Sequence, residues 1–430
     1  MADLIVRGGK KLKGEITPAG NKNAALPILC ATLLTDETVT LRNFPDLLDV
    51  NKLVELLVSL GSAIEWNKEE KVLKINNKNL RKDFGEEGFP LGMRGAVLLL
   101  GPLAVRMDKI EVKSEIGGCA LGIRELDPHI DVLRSLGAKI KTNSHLTIDT
   151  SAGLTGGSIW PDYMSVTTTE NFIMAASKAK GRSEMTNAAS EPHVQALCNF
   201  LIQMGANIEG VGSCKVIIEG VDELHGTDFR IPSDHHEITT LLALGAMTRG
   251  NVRVTDSEPE YFPLINRSFE KLGVNVEYDG NTAIVKGNQN LKVLEPYTKN
   301  MLQKIEAAPW PYFPADLLPL MIALAVKAEG SIMFWNKLYE GGFFWIPEMI
   351  KFGAHIVMCD PHRVIVYGDK PLKASTVNAP DIIRATVALL MVALTIDGES
   401  RINNADSIKR AHPNFIENLN KLGADIEWAE

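Results

Sequence analysis

VELLVSLGSAIEW, residues 54–66, is a helical stretch that stops at Gly61 and gives way to a short apolar strand. The same reading recurs as DVLRSLGAKI (131–140), NFLIQMGANIE (199–209), SFEKLGVNVEY (268–278), EMIKFGAHIVM (348–358) and NLNKLGADIEW (418–428). The turn glycines are Gly61, Gly137, Gly205, Gly273, Gly353 and Gly423, spaced by roughly 70 residues, longer than the repeats of ordinary solenoids. Each Gly can take the left-handed conformation that ends a helix. Upstream of the turns lie helices apolar nearly all round, among them AALPILCATLL, AVLLLGPLAV, TTLLALGAM, LLPLMIALAV and ATVALLMVAL. Short alternating strands follow them, such as TVTLRNF and NVRVTDS. The unit reads β-α-β-α-β-β. Its first helix is expected inside and its second, amphipathic helix outside.

Six such modules in 430 residues predict an α/β protein of two domains. They divide three and three at the Pro and Asp cluster Pro232 to Asp234, giving one domain over 22–232 and a second, discontinuous one over 1–21 and 233–430. In the second domain the opening strand would pair with the C-terminal ADIEWAE. A ligand is expected in the cleft between the domains. The net charge of −8 argues against a nucleic-acid partner. A local Lys/Arg cluster would still suit a small anion. Five cysteines without CxxC spacing argue against a disulfide framework or a zinc site and for a reduced, cytoplasmic setting. No apolar run is long and uniform enough to cross a bilayer, so no membrane partner is expected.

Three segments are polar or Gly-rich where the repeat does not require it. In PAGNKNAALP, Lys22 and Asn23 precede the first buried helix, where charge and amide donors can meet an anion; the alternative is a cap beside a solvated Lys. In SEIGGCALGIRELDPHI, the loop over 114–126 carries Cys119 at its tip, with Arg124, Asp127 and His129 following. A thiol in such a loop is placed to react, although a lone Cys can equally be a small apolar filler. Cys30 and Cys198 read as core. In PYFPADLLPLM, Asp316 is either a helix cap or a general base. Arg94 and Arg384 add positive charge near other helix starts, and Arg410 in DSIKRAHPNF adds more, as phosphate or carboxylate recognition needs.

GNKNAALPIL, MRGAVLLLGPL, GGCALGIRELDPHI, SVTTTENFIMAA, EPHVQALCNFLIQMGA, FPADLLPLM and KLGADIE, spread over the whole chain, resemble the enolpyruvyl transferase family, in particular its branch acting on UDP-N-acetylglucosamine. The resemblance implies an inside-out α/β barrel in two domains, each of three βαβαββ units around a pseudo-threefold axis. It implies transfer of the enolpyruvyl group of phosphoenolpyruvate to the 3′-hydroxyl of UDP-N-acetylglucosamine with release of phosphate, the first committed step of peptidoglycan synthesis, without metal or organic cofactor. By resemblance Lys22 holds phosphoenolpyruvate, Cys119 protonates its enol carbon and takes fosfomycin, and Asp316 removes the acceptor proton. Asn23, Arg94, Arg124, Asp127, Ser165, Val166, Leu338, Arg384 and Arg410 would bind substrate. The chain departs from the family at Gly342 and His235, where arginines are usual, and at Glu125 and Thr167. These departures leave open another hydroxyl acceptor, or a non-catalytic paralogue that binds nucleotide sugars.

Overall fold

The computed structural model describes residues 2–84, 89, 95–112, 125–142, 145–412 and 414–429. Their contacts divide into two compact units, one over 20–232 and one over 2–19 with 233–429. Each unit has its own apolar core.

All six turn glycines have positive φ, from 78° at Gly273 to 107° at Gly205. Each N–H bonds back to the helix it ends, as in Gly61 to the Val58 carbonyl at 2.9 Å. In five copies the next residue's N–H also reaches back into the helix, as Ser62 to Leu57 and Val274 to Phe269, both at 3.0 Å. That pair of bonds satisfies the last helical carbonyls and turns the chain into the following strand. Glycine is needed at Gly273 for room as well as for backbone sign, since a Cβ there would stand 2.0 Å from the Asn290 carbonyl oxygen.

Each unit contains three sheets. In the 20–232 unit the strands Val39–Arg42, Lys109–Val112 and Arg182–Thr186 each pair antiparallel with a strand of the hairpin that follows the Gly turn. In the other unit Asn251–Val254 and Gly330–Asn336 do the same. The sixth sheet differs: Gly398–Asn403 pairs with the opening strand Asp3–Gly8, and that strand pairs on its other edge with Ile426–Ala429, Leu4 facing Trp428. The expected partnership of the opening and closing strands is therefore present. The second half of the opening segment, Lys13–Ile16, runs parallel to Asn251–Val254 in a different sheet.

The apolar helices lie inside, as their composition predicts. Residues 24–31 of Lys22–Ala31 and all thirteen residues of His235–Met247 are buried. Leu318–Lys327 and Ile383–Leu394 are buried over nearly their whole length and pack together. Helices leading to the Gly turns bury one stripe only, as in Leu48–Ser59, where Val50, Leu53 and Leu57 face the core. Lys22, Asn23, Val166 and Arg384 lie at the starts of such inner helices, and Asp316 lies in the turn before one.

Candidate active site

In the 20–232 unit, Asn21 caps the first inner helix: its side-chain oxygen accepts from the Asn23 and Ala24 N–H groups at 2.8 and 3.2 Å. Capping therefore falls to Asn21 rather than to Lys22 or Asn23. Lys22 is not a solvated side chain. Its Nζ lies 3.2 Å from Asp49 Oδ2, and the two side chains are only 15% and 10% exposed. Asp49 comes from the second helix of the same module, and its short polar spacing gave no hint of the pairing.

Ser165 caps Val166–Ala176 by accepting from Thr168 N–H. Asp127 opens Asp127–Ser135 and is exposed. Buried His129 ties these two helix starts together. Asn171 Nδ2 donates to its Nδ1 at 2.9 Å, so its Nε2 carries the proton that faces Thr167 Oγ1 at 3.4 Å. Thr167, where the family has Gly, therefore has a specific partner. On the same helix, burial pushes the Glu170 carboxyl well up, reinforced by the Glu191 charge. Arg94, Cys119 and Arg124 lie outside the described residues.

In the other unit, the segment that reads as a polar crossing is buried: Ser233, Asp234, His235, His236 and Glu237 are each at most 4% exposed. The helix begins at His235, three residues before the apolar pattern starts at Ile238. Asp234 explains why. Its Oδ1 caps the helix at the His236 N–H and also accepts from His236 Nδ1, both at 2.9 Å. Arg384 Nη2 stands 3.8 Å from Asp234 Oδ2. Burial alone would push the Asp234 carboxyl up. The His236 hydrogen bond and the Arg384 guanidinium overcome this and hold it well below the usual carboxylate range. Glu237, one turn on, goes the other way: burial pushes it up to about 7, although it accepts from the Ala19 N–H at 2.9 Å. Two carboxyls three residues apart are thus separated by environment, one kept ionised and one near neutrality.

Arg384 is buried at the second position of its helix and donates to His412 Nε2. The His412 proton is therefore on Nδ1, which lies 4.0 Å from Glu237 Oε2. Arg410 ends the turn Ala405–Arg410 and pairs with Asp381 at 3.1 Å. Asp316 lies in the turn Ala315–Leu317, and the cap positions of that turn and of the helix Leu318–Lys327 are Pro314 and Leu317. Its side chain is 37% exposed, with Oδ2 4.0 Å from His236 Nε2. It is a part-exposed carboxylate near a buried histidine.

Among the described residues, one group has the residue types of a metal site: Asp234, His235 and His236, whose ligand atoms lie within 4.8 Å of one another. The Asp234 carboxylate is already engaged by a helix start, an imidazole and a guanidinium, so its counter-charge is supplied from within the protein. The set reads as an ion-pair network rather than a cation cage.

Gly342 is built into its turn. A Cβ there would come within 2.2 Å of Asn336 Nδ2, and buried Asn336 is fixed by accepting from the Leu338 and Tyr339 N–H groups at 3.0 Å each. Leu338 itself is exposed. The cations nearby are engaged elsewhere: Lys337 pairs with Glu306 and Arg363 with Asp360. Installing the family residue, Gly342→Arg, is accordingly expected to destabilise the protein by about 1–3 kcal/mol through overpacking and to leave activity no higher. Urea unfolding alongside turnover measurements checks this; an unchanged midpoint with raised turnover would show that the turn accepts the side chain.

Comparison with known proteins places this geometry. Residues 6–419 match the family of EPSP synthase (3-phosphoshikimate 1-carboxyvinyltransferase). The chain is 41% identical over 427 residues to UDP-N-acetylglucosamine 1-carboxyvinyltransferase of Borreliella burgdorferi, covering 99% of each. It is 41% identical over 423 residues to the protein of that name from Bradyrhizobium diazoefficiens (98% of this chain and 97% of the relative). The Treponema denticola counterpart is 38% identical over the full length of both chains. Among solved structures, the enolpyruvyl transferase NikO from Streptomyces tendae superposes with a TM-score of 0.85 at 21% identity, covering 100% of this chain and 99% of the other. EPSP synthase from Acinetobacter baumannii gives 0.77 at 18% identity over the whole of both. With six Gly-turn modules, two three-sheet units and this agreement along its entire length, the chain belongs to the EPSP synthase family of enolpyruvyl transferases.

Proposed function

We propose that this protein transfers the enolpyruvyl group of phosphoenolpyruvate to the 3′-hydroxyl of UDP-N-acetylglucosamine, releasing phosphate, as the committed step towards peptidoglycan. The observation that carries this reading is identity of 38–41% over essentially the full length to relatives named for that reaction. The chemistry fits the residues. Asp316 accepts the hydroxyl proton as oxygen attacks the carbon bearing phosphate, and Cys119 supplies a proton to the neighbouring enol carbon. The resulting tetrahedral adduct then returns that proton and expels phosphate. Lys22, Arg94, Arg124, Arg384 and Arg410 would stabilise the anionic adduct, and Asn23, Asp127, Ser165, Val166 and Leu338 would contact the acceptor. No step calls for a metal or an organic cofactor.

We place the reaction in the cytoplasm, with small-molecule partners only. This is supported by the net charge of −8, by cysteines without a pairing pattern, and by the lack of any membrane-crossing helix among the described residues.

A second reading, transfer to a different hydroxyl acceptor, is favoured by one observation: Gly342 is packed against Asn336, so the arginine usual there has no vacant position to be restored to. Phosphate release from phosphoenolpyruvate, measured with UDP-N-acetylglucosamine, with UDP-glucose and without acceptor, separates the two. Release dependent on UDP-N-acetylglucosamine is expected. Release only with another acceptor would move the assignment to the second reading, and none with any acceptor would reduce the protein to a binding paralogue.

A further inference from the structure

His236 is buried, its ring lying against that of His235 at 4.0 Å, and each of its nitrogens faces a carboxylate. Nδ1 is 2.9 Å from Asp234 Oδ1, and Nε2 is 4.0 Å from Asp316 Oδ2. We propose that His236 is the positioning and proton-relay partner of Asp316, held in register by Asp234. This rests on the reading of Asp316 as the general base. Such a residue is absent from the resemblance, which offers an Arg near this segment.

The geometry determines the proton's route. Asp234 is ionised and can only accept, so in its neutral form His236 carries its hydrogen on Nδ1 and presents the Nε2 lone pair to Asp316. When the acceptor oxygen bonds to carbon, its proton passes to the Asp316 carboxylate. The resulting carboxylic acid donates that proton to His236 Nε2. Asp316 returns to its anionic form and His236 becomes an imidazolium beside Asp234. No oxidant or further reactant is involved, and on phosphate expulsion the same path run backwards can deliver the proton to the leaving group. The 4.0 Å separation exceeds a hydrogen bond. Rotation of the part-exposed Asp316 side chain can close it, and catalytic contacts of this kind commonly tighten only with substrate bound.

The surrounding charges fix the arrangement. Asp234 and Glu237 come from the start of the same helix as His236, Arg384 from Ile383–Leu394, His412 from the segment after Ala405–Arg410, and Asp316 from the turn before Leu318–Lys327. His412 cannot substitute as the relay, because its Nε2 accepts from Arg384.

The test is the kinetics of H236Q, D316N and the double variant in the full-length protein, with folding verified by thermal denaturation. Gln retains hydrogen bonding but cannot take the proton. H236Q is expected to lower kcat on the order of 10²-fold with KM for both substrates within about twofold. The double variant is expected to be no slower than D316N, because His236 acts through Asp316. Should H236Q not fold, H236N carries the same expectations. Wild-type kcat in the His236 variant beside a slow D316N overturns the relay and leaves the general base standing. Losses that multiply in the double variant overturn it too, by making His236 a packing residue. A D316N enzyme at wild-type rate would instead remove the general-base reading, and the relay with it.

Discussion

Asp316→Asn is expected to lower turnover by about 10²–10⁴-fold while KM for both substrates stays within a few-fold and the melting midpoint hardly moves. The three parts of that expectation have separate physical sources. Turnover falls because an amide has the shape of the carboxylate but cannot remove the hydroxyl proton. Binding persists because a general base acts chiefly in the transition state, so its loss is felt in kcat and kcat/KM together. Stability persists because the cap positions of its turn and of the helix after it are Pro314 and Leu317, and the Asp316 side chain is 37% exposed. Measuring steady-state kinetics and thermal unfolding on one preparation decides the matter. A stability loss with proportionate losses of binding and turnover would return Asp316 to a structural role.

Lys22→Met should behave differently, because Lys22 has two duties. Its ammonium lies against Asp49 in a largely buried pair, and by resemblance it also holds the phosphate-bearing substrate. Removing it withdraws a cation from a dense negative charge, and kcat/KM for phosphoenolpyruvate is expected to fall at least 10²-fold, the scale found when one preorganised donor is lost. It also leaves Asp49 without that cation, at a cost of about 1–3 kcal/mol. The second substitution Asp49→Asn separates the two effects. In the double variant stability should recover, since no buried charge is stranded, while activity should not. Recovery of both would mean that Lys22 serves only to neutralise Asp49; recovery of neither would mean that the pair is not what links Lys22 to the fold.

What was readable in the sequence was what depends on neighbours along the chain. Six glycines at helix ends announced six modules because a left-handed residue is a local demand, and all six have it. The continuous apolar runs announced inner helices, and Cys30 and Cys198 are core accordingly, with burial pushing the Cys198 thiol up to about 12. What could not be read was what depends on distant partners. Asp49 meets Lys22 from another helix, His129 joins two helix starts, and Arg384 reaches His412 and Asp234 from separate elements. The segment Ser233 to Glu237 shows the difference most clearly. It reads as a crossing between domains, yet it is buried, with the Ser233 N–H donating to Glu258 and the Asp234 carboxylate accepting from His236, partners that only the fold supplies. Asp316 reads two ways in the sequence, and the structure puts the cap positions of its turn and of the following helix at Pro314 and Leu317.

The pairing of Asp3–Gly8 with both Gly398–Asn403 and Ile426–Ala429 also bears on how the protein is made. On the ribosome, domains usually form as they emerge. The 20–232 unit is continuous and can form early. The other must keep its first strand unpaired, with an open edge, until its two partners have been translated. That interval is when the nascent protein is most exposed to mispairing with another chain, and slowing translation ahead of residue 398 would lengthen it.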